Sequence, residues 1–358
     1  MTHALIIAAL ILLALYLFIF VYLDGENLKK YDNHGHEVTF NPPEPSAGQA
    51  DVLEHLEVNF TAPGRSRNDT IHDKRERFEA GARDREFDCE HRQDSFGDLD
   101  GEWTLIDGAD PNKRLLYIHG GAFAAGSAIS HRPITYNIAK RTGCAVFAVN
   151  YRLIPENKRL DCPADSKAAY RWICENGPDG PAPAETIAVA GDSAGGNLTL
   201  VVSRWASADS AIKTPDAIIA ISPTVDSTMS APSIKRNYET DIMLKPLVGP
   251  LLKAPRSLLL LGAWITTRCR PSAPILSPIM GDLSSLPPTL IQVSSAEILY
   301  DDACRYQEKA KRAGSNVKLQ SWAHMAHVWP IFDNLLPEAQ HAFDEMAAFL
   351  KDHNASAK

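Results

Sequence analysis

The sequence predicts an α/β fold in which a mostly parallel sheet is covered by helices on both faces. From about residue 114 onward, short apolar runs alternate with amphipathic stretches of helical period. Such alternation is typical of parallel strands joined by crossover helices. One run, 144–150, is almost continuously apolar, as expected for a strand that is buried on both faces. We therefore expect a single sheet with a large core on each side of it.

The strands and helices follow from these patterns in chain order. Two antiparallel strands are expected first, at 87–93 and 102–106. The parallel strands are then expected at 114–118, 144–150, 187–190, 217–221, 290–294 and 317–321. The helices are expected at 134–142, 163–176, 197–206 and 337–351. Loops at the carboxyl ends of parallel strands are where such sheets bind ligands, so functional residues are sought there.

The chain before residue 86 is predicted to hold three parts. Residues 4–23 are apolar and uncharged, and that length crosses a bilayer as a helix. No Lys or Arg precedes them and no A-x-A site follows, so 1–23 is read as an uncleaved single-pass membrane anchor, with secretion after signal cleavage as the alternative. Residues 24–50 are expected to form a linker. Residues 51–85 are expected to form two short helices, either a solvated hairpin or a cap over a site.

Bulk composition excludes several functions. The 358 residues carry a net charge of −8 without a long basic run, so nucleic acid is not expected as a partner. The six cysteines form no C-x-x-C pair, which favours free thiols over a metal site, with one disulfide left open. By the positive-inside rule, Lys29 and Lys30 on the carboxyl-terminal side of the anchor favour a cytoplasmic location of the folded domain. A homodimer is also left open.

The segment 187–198 reads as a strand, a tight turn and the start of a helix. The turn is Gly191-Asp192-Ser193-Ala194-Gly195, a G-x-S-x-G nucleophile elbow. Small neighbours allow a serine to stand on a strained turn, and the helix that follows directs its N–H groups at a developing oxyanion. The alternative is a glycine-rich turn with a chance serine, so a base, an acid and further oxyanion donors are needed.

Candidates for all three lie in loops after predicted strands. His324 and His327 follow the last strand, and the carboxylates Glu297, Asp301 and Asp302 follow the one before it. The required carboxylate orients the imidazole and stabilises its charged form, although acids are also favoured as caps of helix N-termini. The chain order of serine, acid and histidine is that of α/β-hydrolases.

Adjacent glycines in His119-Gly120-Gly121, after the strand at 114–118, allow two N–H groups to approach one oxygen. With the N–H of Ala194 they would form a three-donor oxyanion hole, in which each donor contributes about 3 to 4 kcal/mol.

Together these residues resemble the hormone-sensitive-lipase-like esterases, bacterial family IV of the α/β-hydrolases. The resemblance covers about residues 114–350. Its motifs are His119-Gly120-Gly121, Tyr151-Arg152-Leu153-Ile154-Pro155-Glu156, the elbow extended to Gly196, and Ser277-Pro278-Ile279 followed by Leu286-Pro287-Pro288-Thr289-Leu290. The resemblance implies Ser193 as nucleophile, His327 as base, and the N–H groups of Gly120, Gly121 and Ala194 as the hole. It also implies a helical cap, which favours that function for 51–85, with a second cap element at about 238–270 in the catalytic domain of 86–358.

The chain departs from this family's pattern at two places. Ala122 stands where the oxyanion motif usually has a third glycine, and we expect little effect. Glu297 stands where the family usually has a catalytic aspartate, thirty residues before His327. Asp301 matches the second aspartate of that segment and is the alternative acid. The family's x-M-x-H pattern fits Met325-Ala326-His327 and therefore disfavours His324.

The expected activity is that of a serine carboxylesterase. Ser193, Glu297 and His327 would cleave esters through an acyl-enzyme, without a metal or an organic cofactor. The resemblance implies small-molecule esters with short or medium acyl chains. The alternatives are an amidase or deacetylase that uses the same triad, and a non-catalytic ligand receptor on the same fold.

Overall fold

The computed structural model describes residues 2–32, 37–58 and 70–356. Its centre is an eight-stranded sheet with the order β1-β2-β4-β3-β5-β6-β7-β8. These strands are β1 Glu90–Phe96, β2 Leu99–Leu105, β3 Asp110–Ile118, β4 Cys144–Asn150, β5 Thr186–Asp192, β6 Ala217–Ile221, β7 Thr289–Ser294 and β8 Val317–Trp322. β2 pairs antiparallel with β1 and β4, and all the other pairings are parallel. The predicted fold class is therefore confirmed.

Helices precede the sheet, connect its strands and close the chain. They are α1 Thr2–Leu17, α2 Ala47–Leu56, α3 Ile71–Arg83, α4 Arg132–Thr142, α5 Asp161–Glu175, α6 Ser193–Ala208, α7 Ser233–Arg236, α8 Lys245–Leu252, α9 Arg256–Thr267, α10 Tyr300–Arg312 and α11 Pro337–Asp352. Short 3₁₀ turns occur at Leu28–Tyr31, Pro278–Met280 and Trp329–Phe332, and Asn176–Gly177 pairs with Gly180–Pro181 in a separate small hairpin.

The first two strands differ most from their predicted bounds. β1 ends at Phe96 and β2 begins at Leu99, so the turn between them has two residues. The first of these, Gly97, has a φ of 56°. A tight hairpin needs a residue with positive φ at this position. The Gly97-Asp98 turn therefore sets the register of the hairpin, which the period of the apolar residues does not determine.

Alternate residues of β3 place the two cores on opposite faces of the sheet. Leu116 and Ile118 belong to the buried cluster that contains residues of α5, α6 and α10. Leu115 and Tyr117 belong to the cluster that contains residues of α4 and α11. Because successive side chains of a strand point to opposite faces, one apolar run supplies both layers.

The segment predicted as a linker is packed against the catalytic domain in its described part. Leu28 and Tyr31 are buried in the main core. Phe40 forms a parallel bridge with Trp322 at the end of β8, and their rings stack at 3.9 Å. Leu28, Tyr31 and Phe40 are thus packed residues within the segment predicted as a linker. Their contacts lie almost 300 positions away, where local composition carries no signal.

The side chain of Glu102 on β2 is buried, with 1% of the residue exposed. It accepts hydrogen bonds from Arg132 at 2.8 and 2.5 Å and from Gln93 at 2.6 Å. Burial alone would raise its pKa, but the hydrogen bonds and charge of Arg132 outweigh this effect and lower the pKa to about 2. The carboxylate is therefore ionised in the folded protein.

We expect Glu102→Gln to lower the free energy of unfolding at pH 7 by about 3 kcal/mol, because it leaves the partly buried Arg132 without its counter-charge. A carboxylate with a lowered pKa stabilises the fold above its ordinary value near 4.5 and loses that effect as the pH falls towards 2. Urea unfolding at a series of pH values should show the wild-type advantage shrinking across this interval. The exposed Glu90→Gln is the control and should change little; a constant wild-type advantage from pH 7 to pH 2.5 would contradict the assignment.

Candidate active site

The predicted strand–turn–helix around Ser193 is present. β5 ends at Asp192, and Ser193 is the first residue of α6 with a φ of 52°. A serine rarely adopts this left-handed region, and such a strained turn lifts its hydroxyl out of the sheet. A Cβ atom at Gly195 would lie 1.9 Å from the carbonyl oxygen of Ile118. Only glycine therefore permits the close approach of α6 to the end of β3.

The loop after β8 brings His327 to this serine. Nε2 of His327 lies 2.9 Å from Oγ of Ser193. On its other side, Nδ1–H of His327 donates a hydrogen bond to Oε2 of Glu297. The second oxygen of Glu297 accepts the backbone N–H of Ser294 at 2.8 Å. Serine, histidine and glutamate thus form one continuous chain of hydrogen bonds.

Burial and mutual charge determine how this pair titrates. Burial raises the pKa of Glu297, and the charge and hydrogen bond of His327 only partly oppose that effect. Burial lowers the pKa of His327, but the charge and hydrogen bond of Glu297 outweigh it, so the net pKa lies above the ordinary value of 6.5. An imidazole whose charged form is stabilised in this way is a suitable proton acceptor for a serine.

The other candidates from these two loops lie elsewhere. Asp301, in the first turn of α10, accepts both terminal nitrogens of Arg236 at 3.0 and 2.8 Å and the N–H of Ser233 at 2.8 Å. His324 is within 3.3 Å of the carbonyl of Pro42. Asp302 is buried near the N–H of Val225. These hydrogen bonds are structural, and none of them involves Ser193 or His327.

The glycine loop after β3 requires one correction. The N–H of Gly120 donates a 2.9 Å hydrogen bond to Oδ1 of Asp192, so the prediction that it points into the oxyanion hole is wrong. In the part of the chain that the structure describes, the N–H groups of Gly121 and Ala122 have no acceptor. A Cβ at Gly120 would lie 2.0 Å from the carboxylate of Asp192. The glycine at 120 thus allows contact with Asp192.

Asp192 organises a buried polar cluster beneath this loop. It also accepts the hydroxyl of Tyr117 at 2.6 Å and lies 3.3 Å from Nε2 of His131. Burial opposes ionisation, yet the charge of His131 and the hydrogen bonds lower its pKa. Neither His131 nor Tyr117 was among the predicted site residues. Alternation along β3 could have identified Tyr117 as inward-facing, but His131 follows an irregular loop and has no local signal.

His119 holds the loop from the other side. Its Nδ1–H donates to the carbonyl of Gly120 at 2.8 Å, and its own carbonyl accepts the hydroxyl of Tyr151 at 2.9 Å. The two rings stack at 4.3 Å. Burial, reinforced by His131, lowers the pKa of His119 to about 3. The histidine is neutral and acts as a fixed donor, which makes the backbone of the loop rigid.

Two helical segments lie over this region. Arg75 of α3 donates to the carbonyls of Ala124 and Ile154 at 2.8 and 3.0 Å and pairs with Glu156. On the acid side, Val248 of α8 packs with Ile298. These contacts connect both predicted cap elements to loops of the candidate site. The residues 59–69, part of the first element, lie outside the described chain.

The described residues contain no group of three or more His, Cys, Asp or Glu side chains placed to hold a metal ion. The six cysteines are free thiols.

Comparison with known proteins identifies the family. A family model described as an α/β hydrolase fold matches residues 115–331. The chain belongs to the α/β-hydrolase family. It is 35% identical over 257 residues to an acetyl-hydrolase of Streptomyces hygroscopicus, across 72% of this chain and 81% of that protein.

Two further similarities refine the family. The chain is 32% identical to an esterase of Acinetobacter venetianus, across 67% of this chain and 75% of that protein. It also superposes with a TM-score of 0.73 and 30% identity on a crystal structure of an esterase from the bacterial hormone-sensitive lipase family, covering 87% and 99% of the two chains. The expected resemblance and the assignment of this α/β hydrolase as a carboxylesterase are thus confirmed.

Proposed function

We propose that Ser193 is the nucleophile of this carboxylesterase, with His327 as the base and Glu297 as the acid of the triad. The observation that carries the proposal is the unbroken hydrogen-bond chain from Ser193 Oγ through both ring nitrogens of His327 to Glu297. In this arrangement His327 takes the serine proton as the ester is attacked. It then protonates the leaving alcohol, and water repeats the cycle on the acyl-enzyme.

We propose that the N–H groups of Gly121, Ala122 and Ala194 stabilise the tetrahedral oxyanion. Ala194 is the second residue of α6, and N–H groups in a first helical turn have no intrahelical acceptor. The positive end of the helix dipole adds to their effect. Gly120 supports the hole indirectly, since its bond to Asp192 fixes the adjacent peptide units.

The proposed substrates are small-molecule esters with short acyl chains. The name of the Streptomyces relative, an acetyl-hydrolase, supports this class, as does the helix α3, which is tied to the oxyanion loop through Arg75. The test is turnover of p-nitrophenyl esters from acetate to palmitate, with a matched aryl anilide. We expect the highest kcat/KM for C2 to C6 chains; faster cleavage of the anilide would instead indicate an amidase.

The pH dependence of kcat/KM should report the titration of His327. Because the imidazole must be neutral to accept the serine proton, activity falls as the pH drops below its pKa, which Glu297 holds above 6.5. We expect the residual activity of Glu297→Gln to show an acid limb at lower pH, since burial then acts without the opposing carboxylate. An unchanged or higher midpoint in the variant would contradict this coupling.

Gly120→Ala is expected to lower kcat by about 100- to 1000-fold, comparable to the loss of an oxyanion donor. The added Cβ would lie 2.0 Å from Oδ2 of Asp192, so it would displace either that carboxylate or the loop. Steady-state kinetics with a soluble aryl acetate measure the effect, and thermal unfolding confirms that the variant folds. Gly81→Ala is the matched control, since a Cβ there meets nothing within 4 Å. Activity within tenfold of the wild type would refute the role of this contact.

We propose that the N-terminal apolar segment is an uncleaved membrane anchor. The helical stretch formed by α1 and the following turn Phe18–Leu23, which overlaps the span Leu5–Tyr31, is long and apolar enough to cross a membrane. The carboxyl-terminal end of this stretch packs against the folded domain. Ile19 and Leu23 are buried with Leu260, and Asp24 pairs with Arg256. A segment removed after export would not be expected to contribute to this packing. Retention of the full chain in membranes washed at pH 11 tests the proposal, and complete release would refute it.

A further inference from the structure

The helices α8 and α9 present an uncovered apolar face. Leu247 and Leu251 are exposed on α8, and Leu258 and Ile265 are exposed on α9, by 58% and 52%. The spacings of four and seven residues place each pair on one side of its helix. Val248 and Leu260, on other faces of the same helices, are buried. A soluble surface rarely carries so many large apolar side chains on two consecutive helices.

This face adjoins the carboxyl-terminal end of the N-terminal apolar helix. Phe18 packs edge-on against Trp264 of α9 at 5.1 Å, and Arg256 at the start of α9 pairs with Asp24. The side chains of the N-terminal helix are exposed along most of its length, including Leu12 and Leu13. Wherever this helix enters a bilayer, α9 must lie beside its point of entry.

The charge of the region is opposite to that of the protein. Residues 242–281 contain no Asp or Glu, although the whole chain carries a net charge of −8. The same forty residues contain Lys245, Lys253, Arg256, Arg268 and Arg270. The guanidinium of Arg270 lies 5.5 Å from the ring of Tyr22. Basic and aromatic side chains around an apolar face are typical of segments that lie in the headgroup layer of anionic membranes.

We propose that α8 and α9 dock onto an anionic membrane, with Leu247, Leu251, Leu258 and Ile265 in the boundary between headgroups and acyl chains. The inference rests on the proposed anchor, which holds these helices at the surface. It also deepens the substrate assignment. Val248 of α8 packs on Ile298, and Asp241, just before α8, accepts the N–H of Ile298, the residue after Glu297. The cap element over the acid loop would thus contact lipid, which favours esters that partition into the membrane.

The test uses the full chain in nanodiscs of phosphatidylcholine with and without phosphatidylglycerol, and follows hydrogen–deuterium exchange of the amides of α9. We expect exchange in the anionic nanodiscs to be at least about tenfold slower for the wild type than for the double variant Leu258→Glu/Ile265→Glu. Val58→Glu is the matched control, since Val58 is also exposed but belongs to neither helix. Its α9 amides should exchange like those of the wild type.

Activity separates this inference from the proposed function. The double variant should keep wild-type turnover of a water-soluble aryl acetate and lose at least about fivefold in kcat/KM on an acetate ester of a long-chain alcohol presented in the nanodisc. Equal exchange in wild type and double variant, with soluble turnover intact, would overturn the docking alone. Protection that depends on two chains per nanodisc, and not on lipid charge, would assign the face to a second copy and also overturn it. Absence of soluble turnover in the wild type would refute the proposed function instead.

Discussion

Ser193→Ala is expected to lower kcat for soluble aryl esters by about a million-fold, the scale seen when the nucleophile of a serine triad is removed. The variant would retain the acceptor-free N–H groups of Gly121 and Ala122, so it should still exceed the uncatalysed rate in water. A fluorophosphonate probe should label the wild type at Ser193 and leave the variant unlabelled. Mass spectrometry of the labelled peptide and steady-state kinetics measure the two effects.

Ser210→Ala provides the control, since Ser210 is an exposed serine just after α6. Its labelling and kcat should equal those of the wild type. His327→Ala should cost about as much as Ser193→Ala, and the double variant should cost little more, because triad residues act as one unit. Labelling of the Ser193→Ala variant with retained activity would show that another residue is the nucleophile.

Glu297→Gln is expected to lower kcat by about ten-thousand-fold while leaving the fold intact. The amide can no longer stabilise the charged imidazole, and it can present N–H to Nδ1, which favours the wrong tautomer of His327. Steady-state kinetics at pH 8 measure the loss. Thermal unfolding checks that the buried amide is tolerated.

Asp301→Asn is the matched comparison, because Asp301 is the other carboxylate that the sequence offered. It holds Arg236 and caps α7 through Ser233, so we expect less than a tenfold change in kcat, with lower thermal stability. Glu297→Asp should lie between the two, since it keeps the charge but shortens the side chain by one methylene. A severe loss in Asp301→Asn together with a mild one in Glu297→Gln would reverse the proposed acid.

Much of the architecture could be read from local patterns. β4 and β6 have the bounds that their apolar runs predict, because a strand buried on both faces requires an uninterrupted run. The observed bounds of β1 and β2 differ from the predicted ones, because the register of this hairpin depends on the turn at Gly97. The packing of Tyr31 and Phe40 was missed, because isolated aromatics in a polar stretch do not reveal a distant partner.

By itself, the sequence determined which chemical groups the site contains and in which order they follow along the chain. Glycines around Ser193, and histidine and carboxylates after late strands, are local requirements of turns and strand ends. Tertiary structure decided which of these groups meet. Ser193 and His327 are 134 residues apart, and the register of the sheet sets their distance. The same packing brings Glu297 rather than Asp301 to the imidazole, and it turns the N–H of Gly120 towards Asp192, because side-chain contacts between distant loops are not encoded in local periodicity.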